Sequence, residues 1–435
     1  MRRPGNGFGC AVVSESIRER LSRWHAVGVR AVRPDLLLPE FGSAEPDRWV
    51  FRRGAREIAL RWPDRTAGGR LRVIALGKAG RTMANGFLAS LRGASLRGAN
   101  LPGAQSLVDA GLIITRDPWP GVAPWREIFG DHPYPGERSL QAAHELIALV
   151  GQPTAADRFL VLLSGGASSL CALPIEGMTL EEKRAATREL MLSGAPIEEL
   201  NRLRARLSAI KGGKLARRMV PASVITLAVS DVAGDDPAVI GSGPSFDPPR
   251  APCLVMASLD DALEAIEAAA RAEGVEVCDL GRTLYGSVEG EAQRIARTMA
   301  TARPPTRPRL WLAGGEPVVT VRGRGRGGRA QELALRLAEE LARVFPQQKS
   351  TGGVIGRFVT GLAAGTDGAD GPTSAAGGFF DSSSVARIAA AGIDLSGALA
   401  NNDSYAVLGA VGDQFVTGPT GTNVADILLV LESPS

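Results

Sequence analysis

The sequence predicts an α/β protein of two domains, the larger, N-terminal one built on a buried parallel sheet with helices on both faces. Three observations carry this expectation. Short continuous apolar runs alternate with longer helical patterns: LRVIALG at 71–77, LIIT at 112–115, FLVLL at 159–163 and VITLAV at 224–229. Such runs, without polar alternation, mark parallel strands covered from both sides. Three of the four lead into loops of glycine and small polar residues, where backbone can approach a ligand. The length of 435 residues exceeds what one core usually organises, and proline clusters punctuate it.

Taken in order, the run at 71–77 is followed by Met83, Phe87 and Leu91 at i, i+4 and i+8, a helical stripe. Glu181 to Leu192 is a second helical stretch, so βα units follow. Four prolines fall between Pro244 and Pro252, and ARPPTRP follows at 302–308. Helices do not run through either cluster. Ala262 to Ala270 reads as a helix between them, and RLWLAGG, FVTGLAAG and DILLVLE as strands beyond. The expected division is an N-terminal domain at 1–250, a connecting helical segment at 251–304 and a C-terminal α/β domain at 305–435.

Composition narrows the function. A net charge of +4 is small for this length, and only five of the 50 basic residues are lysines, which argues against a nucleic-acid surface. Cys10, Cys171, Cys253 and Cys278 form no CxxC pair, so neither a zinc site nor a disulfide framework is expected, and the compartment reads as reducing. The apolar stretch Ala11 to Val13 is too short for a signal-peptide core. No window approaches the roughly 18 to 20 apolar residues of a spanning helix. A cytoplasmic protein with no membrane partner is expected.

Seven loops carry the chemistry. Gly77-Lys78-Ala79-Gly80 lies between a strand and a helix N-terminus, where free N–H groups and a lysine suit phosphate or carboxylate, although it is not a Walker A sequence. Ser164-Gly165-Gly166-Ala167-Ser168-Ser169 follows the FLVLL strand with close backbone and three hydroxyls; the plain alternative is a glycine turn with a serine helix cap. A serine hydrolase is disfavoured, since no GxSxG elbow exists and His25, His132 and His144 are the only histidines. From Asn201 to Arg218 run seven cations and no acid. They are either a solvated helix face or part of the site.

After VITLAV come Asp231, Asp235 and Asp236 amid glycines, as a magnesium-bound phosphate requires, with turn-forming aspartates the alternative. Gly323 to Glu332 interleaves glycines and arginines ahead of a helix; it lacks the acid of a dinucleotide fingerprint and fits polyphosphate clamping better. Ala364 to Thr373 holds Asp367 and Asp370 without EF-hand spacing, and Thr417 to Asn423 precedes the last strand. Both read as small, polar, ligand-facing loops.

In this order GKA, HPYP, SGGASSL, LSAIKGGKLA, SDVAGD with GSGP, GGEP, GxGxGGR with QE, AGTDGADGPT and TGPTGTNVAD resemble the MOFRL-type, class II glycerate 2-kinases from about residue 15 to 432. The resemblance implies a Rossmann-like N-terminal domain, a smaller C-terminal MOFRL domain and an active site in the cleft between them. It implies ATP-dependent phosphorylation of D-glycerate, or a related small hydroxy acid, to 2-phosphoglycerate with Mg²⁺. Lys78, Arg329 and Asp231 are the implied catalytic residues. Gly77, Ser164, Gly165, Gly166, Ser168, Ser169, Lys211, Gly315, Glu316, Gln331, Glu332, Thr366 and Asn402 are the implied substrate and nucleotide contacts, and Asp231, Asp235 and Asp367 the metal ligands. A homodimer is the oligomeric expectation.

Three positions depart from the family pattern: Ala330 replaces Asn, Ser374 replaces Asp and Gly136 stands in HPYPGE. Ala330 and Ser374 motivate a silent nucleotide-binding homologue as one rival. A hydroxypyruvate reductase is another, because family members have carried that label. Reach from Lys78 to Arg329 across the cleft leads to an expected open form that closes on substrate.

Overall fold

A computed structural model describes residues 15–96, 107–120, 124–192, 197–282, 284–345, 348–350, 353–355 and 357–434. The signal-peptide reading at 1–13 lies outside them. Helices α1 (Ile17–Ala31) and α2 (Pro34–Phe41) open the chain, followed by an antiparallel meander of β1 (Gly42–Ala44), β2 (Arg48–Arg53) and β3 (Arg56–Arg61). Ser16 starts α1 with a reciprocal cap: its hydroxyl accepts the Glu19 amide and the Glu19 carboxylate accepts the Ser16 amide.

The first large sheet comprises β4 (Leu71–Leu76), β5 (Ala110–Thr115), β6 (Arg126–Phe129), β7 (Arg158–Ser164), β8 (Ser223–Val229) and β9 (Cys253–Ala257). Between them lie α3 (Gly80–Leu96), α4 (Glu137–Val150), α5 (Ala167–Leu170), α6 (Leu180–Leu192), α7 (Ile197–Arg206) and α8 (Lys214–Arg218). All neighbours pair in parallel, with Leu71 opposite Arg158 and Phe159 opposite Val224. Burial on both faces explains the continuous apolar runs: Val73, Ala75, Leu160 and Leu162 join one apolar cluster, and Ile74, Leu76, Val161 and Leu163 another. The order β6-β5-β4-β7-β8-β9 reverses its winding between β4 and β7. Ligands bind outside the carboxyl ends of strands at such a switch point.

The second large sheet comprises β10 (Glu276–Asp279), β11 (Arg309–Gly315), β14 (Val359–Gly365), β15 (Gly377–Asp381), β16 (Gln414–Phe415) and β17 (Asp426–Glu432), in the order β10-β11-β17-β14-β15-β16. A separate ribbon pairs β12 (Gln348–Ser350) with β13 (Gly353–Ile355). β10 and β11 are parallel and the other neighbours of the large sheet antiparallel. Helices α10 (Val288–Thr301) and α11 (Arg329–Val344) pack together beside it.

The expected division at 250 and 305 does not follow the packing. β9 completes the first sheet and β10 begins the second, so the 251–304 segment is shared between the sheets, with α9 (Leu259–Ala272) joining them. Helix α1, assigned to the first domain, lies against α9 and against β14 and β17 of the second sheet. Arg18 on α1 pairs with Asp381 and Asp413 at 3.0 and 2.6 Å. The cause is apolar surface needing cover: Leu21, Trp24, Leu263 and Ile266 belong to one cluster running from Leu160 and Leu227 to Leu310, Leu362 and Leu429. The sheets therefore share a core. A hinged pair of domains rests on a polar, modest interface, and this apolar junction does not supply one. No helix among the described residues is long and apolar enough to cross a membrane.

Candidate active site

β4 and β7 end side by side, so the loops that leave them meet at the switch point. Gly77 has φ +127°, and a Cβ there would overlap the Ser164 side chain. The Lys78 amide donates to the Gly165 carbonyl at 2.9 Å and the Ala79 amide to Ser164 Oγ at 3.0 Å. Ser164 thus ties the two loops together. A Cβ at Gly165 would overlap the Asp231 carboxylate, and Gly166 lies against Lys78 and His132. Absent side chains at this spot let Lys78, His132 and Asp231 converge.

The second sheet supplies the opposite wall. Lys78 Nζ donates to Asp367 Oδ2 at 2.7 Å, and Arg116 Nη1 reaches the same oxygen at 3.3 Å. Asn423 Nδ2 donates to Asp231 Oδ2 at 2.8 Å. Arg329 is gripped by Asp426 through Nε at 2.6 Å and by Glu316 through Nη2 at 2.6 Å. Burial alone would raise the Asp367 carboxyl, but Lys78 and Arg116 outweigh it and hold it at about 2. Burial and then Glu316 push Asp231 up to about 7. Burial, then Lys78 and Arg116, bring His132 down to about 3, so it is neutral at physiological pH.

The remaining expected contacts separate into two groups. Lys211 Nζ donates to Ser168 Oγ at 2.5 Å, and Ser242 Oγ lies 3.1 Å from the same oxygen. Ser169 instead bonds the Gly166 carbonyl at 3.0 Å within its own turn. Gly315 closes β11 against Leu284. Gln331, Glu332, Thr366 and Asn402 belong to the frame. Gln331 Nε2 binds Asp370 and Thr373, and Glu332 binds Arg336 and Asn402. The Thr366 hydroxyl bonds the Ala425 carbonyl, and Asn402 Oδ1 accepts the Arg322 amide at 2.7 Å.

The glycine-arginine loop is not laid over the start of α11. Its amides at Arg322, Arg324 and Arg326 bond the side chains of Asn402, Asn401 and Asp403, and these three arginines are exposed. The helix N-terminus is already filled: the Asp370 carboxylate accepts the Ala330 and Gln331 amides at 3.2 and 2.8 Å. A carboxylate held by the fold meets the same N–H groups and dipole that a phosphate would. Ala330 is fully buried in an apolar cluster, and exposed Ser374 bonds Tyr405 at 3.0 Å. Neither lines the converging loops.

The expected metal trio does not assemble, because Asp367 is drawn onto Lys78 and Arg116. Among the described residues no group of three or more carboxylate, histidine or cysteine side chains could hold a metal. Asp231, Asp235 and Glu316 nevertheless share one region: after burial, Glu316, Asp235 and Asp231 push the Tyr285 hydroxyl up to about 12. Sequence reasoning missed Arg116, His132 and Asp426. Arg116 directly follows the LIIT strand, so a strand carboxyl end was the available signal for it, and Asp426 opens the last strand directly after a glycine-rich loop. A hollow of about 350 Å³ lined by Arg271, Glu276 and Arg307 lies at the opposite end of β10, away from this chemistry.

The family described as a domain of unknown function, DUF4147, matches residues 20–272, and the MOFRL family matches residues 309–426. The chain is 38% identical to a D-glycerate 2-kinase of Thermotoga maritima over 338 residues, 69% of this chain and 78% of that one. It is 35% identical to an Agrobacterium vitis protein named for hydroxypyruvate reductase, across 94% of this chain and 95% of that one. Its fold is similar to the solved glycerate kinase of Thermotoga maritima, with a TM-score of 0.72 and 30% identity over 95% of this chain and 98% of that one. On these matches, in the order of its two sheets, the chain belongs to the MOFRL-type, class II glycerate 2-kinase family.

Proposed function

We propose that this chain transfers the γ-phosphoryl group of ATP to the 2-hydroxyl of D-glycerate, giving ADP and 2-phosphoglycerate. The observation that carries the reading is the convergence at the switch point of Lys78, Arg116 and Asp231 from the first sheet with Asp367 and Arg329 from beyond it. Phosphoryl transfer asks for in-line positioning and cations against the equatorial oxygens rather than covalent help. Lys78 and Arg116 are placed to exchange Asp367 for phosphate oxygens. Arg329 presents a planar fork from the other wall. The backbone around Gly165 and Gly166 is open enough to admit the acceptor.

The residues fit magnesium. Asp231 is raised first by burial and then by repulsion from the nearby, partly exposed Glu316 carboxylate, and a divalent cation relieves that repulsion. Magnesium takes one or two carboxylates with waters and phosphates, so a cage of three is not needed. Asp231 would hold it, with Glu316 and Asp235 close by, and when bound it would offset charge on the phosphate oxygens. Neutral His132 is a hydrogen-bonding group for the acceptor rather than a cation.

The reductase alternative lacks its structural requirement: the first βα turn is Gly77-Lys78-Ala79-Gly80, without the glycine fingerprint that seats a pyrophosphate. Function in the cytoplasm, with Cys171, Cys253 and Cys278 unpaired, and a homodimer are part of the same proposal. Incubation with ATP, Mg²⁺ and D-glycerate, resolving 2-phosphoglycerate from 3-phosphoglycerate, tests it. Formation of the 3-isomer, or nicotinamide oxidation with hydroxypyruvate in place of phosphorylation, overturns it.

A further inference from the structure

Behind Ser168 lies a second group of cations that the cleft chemistry does not use. Lys183 on α6 and Lys211 are each 4% exposed. Lys183 Nζ has no hydrogen-bond partner among the described residues. Lys211 Nζ has the Ser168 hydroxyl, itself shared with Ser242. Arg204 on α7 reaches the Asn201 amide oxygen, at 3.5 Å. Burying an ammonium is costly unless an anion accompanies it.

Among the described residues, no carboxylate acts on either lysine. Lys183 feels Cys171, Lys214 and Arg204; Lys211 feels Lys183, Arg204 and Cys171. Burial pushes the Cys171 thiol up to about 12, against both lysines, so it stays neutral. Lys214 is turned onto the Ala205 and Ser208 carbonyls. Glu182, the neighbour of Lys183, caps its own helix by accepting the Thr179 amide at 2.7 Å. The fold therefore buries two ammonium groups with no described carboxylate behind Ser168, two residues along the chain from Gly166, which lies against Lys78 and His132.

We infer that Lys183, Lys211 and the Ser168 hydroxyl, backed by Arg204, form the subsite for the carboxylate of the acceptor, leaving its hydroxyl toward Lys78. The inference rests on the kinase reading and adds what selects an acid over a neutral polyol. Two ammoniums and a hydroxyl can divide the two oxygens of one carboxylate, as charge-assisted hydrogen bonds require. Because burial holds Lys183 down at about 8 and Lys211 well below its ordinary value, an arriving carboxylate also draws protons onto them.

The test uses the full-length chain and the variants Lys183→Met and Lys211→Met, with Lys183→Arg as the charge-retaining control. Removing either ammonium is expected to raise KM for D-glycerate by about 10- to 100-fold, with KM for ATP unchanged and the arginine control near wild type. Calorimetry of D-glycerate without ATP should show the same weakening, and proton uptake in the wild type when repeated in buffers of different ionisation enthalpy. Glycerol, which lacks the carboxylate, should not distinguish wild type from variants. Inorganic phosphate should compete with D-glycerate, and that competition should weaken in both methionine variants. Unchanged D-glycerate affinity in both methionine variants, equal rises in both KM values, or phosphate inhibition not competitive with D-glycerate would each overturn the subsite. If either methionine variant melts early, the arginine control and phosphate competition decide alone. Failure of the kinase reading is separate: no phosphoglycerate would form, while D-glycerate binding would still depend on Lys183.

Discussion

The two groups of cations near the switch point are built on opposite terms. In the cleft, Lys78 and Arg116 end on Asp367, and Arg329 ends on Asp426 and Glu316. Behind Ser168, Lys211 ends on a hydroxyl, Arg204 on an amide oxygen and Lys183 on no partner among the described residues. A cation with a built-in carboxylate is stable before substrate arrives and must exchange partners to bind phosphate. A cation without one carries an unrelieved burial cost until its ligand comes. The first arrangement suits a group that passes through; the second suits a group that stays with the acceptor.

The largest expected effect breaks the paired side. Lys78→Ala should lower kcat/KM by about 100-fold or more, a loss of roughly 3 to 4 kcal/mol of transition-state stabilisation, read by steady-state kinetics. Near-normal turnover would remove Lys78 from the site. The same variant should lose thermal stability, since Asp367 keeps Arg116 and the Ala369 amide but loses its nearer cation.

The unpaired side should respond with the opposite sign. Lys183→Met should gain about 2 to 3 kcal/mol of unfolding free energy at pH 7, because the wild type pays to bury a charge. The folded pKa of about 8 lies below the ordinary 10.5, so the wild-type deficit is complete below pH 8 and disappears as pH rises to 10.5. Denaturant melts of both proteins across that window should therefore converge at high pH. A stability gap that stays constant with pH would show that Lys183 is not a buried charge.

A smaller effect concerns Ala330. In a polar pocket, restoring the Asn of the family pattern would add a hydrogen bond, worth about 1 kcal/mol or a few-fold in kcat/KM. The structure reverses the expected sign, because Ala330 is fully buried among Leu284, Ala292 and Leu333. Ala330→Asn should destabilise by about 1 to 3 kcal/mol with no gain in turnover, measured by thermal melts beside the kinetics. The smallest effect belongs to the exposed arginines. Arg324→Ser should change stability by less than about 0.5 kcal/mol, as surface replacements do, and leave KM for ATP unaltered. A marked rise in that KM would restore the polyphosphate clamp.

The strands were legible because a strand buried on both faces writes its environment into consecutive residues, as Leu71–Leu76 and Arg158–Ser164 do. Lys78 was legible for a related cause: a lysine between such a strand and a helix start has few uses other than an anion. Gln331, Glu332 and Asn402 were expected as ligand contacts and have protein partners in the structure; in sequence, a polar residue in a glycine-rich loop looks the same whether it faces a ligand or the backbone of a neighbouring loop. Helix α1 fell within the expected N-terminal domain by its place in the chain alone. Its apolar stripe shows that it is covered, but not that the cover is α9 and the second sheet.

Local pattern thus settled the parallel sheet, the glycine loops at its carboxyl ends and the lysine within them, since each depends on residues a few positions apart. Which cations are paired was settled by contacts across the whole chain: Lys78 meets Asp367 at a separation of 289 residues and Asn423 meets Asp231 at 192. Charge interaction depends on distance and burial, and neither follows from position along the chain. The same letter K therefore stands for an ion-paired side chain at 78 and for a buried one at 183 that no described carboxylate meets.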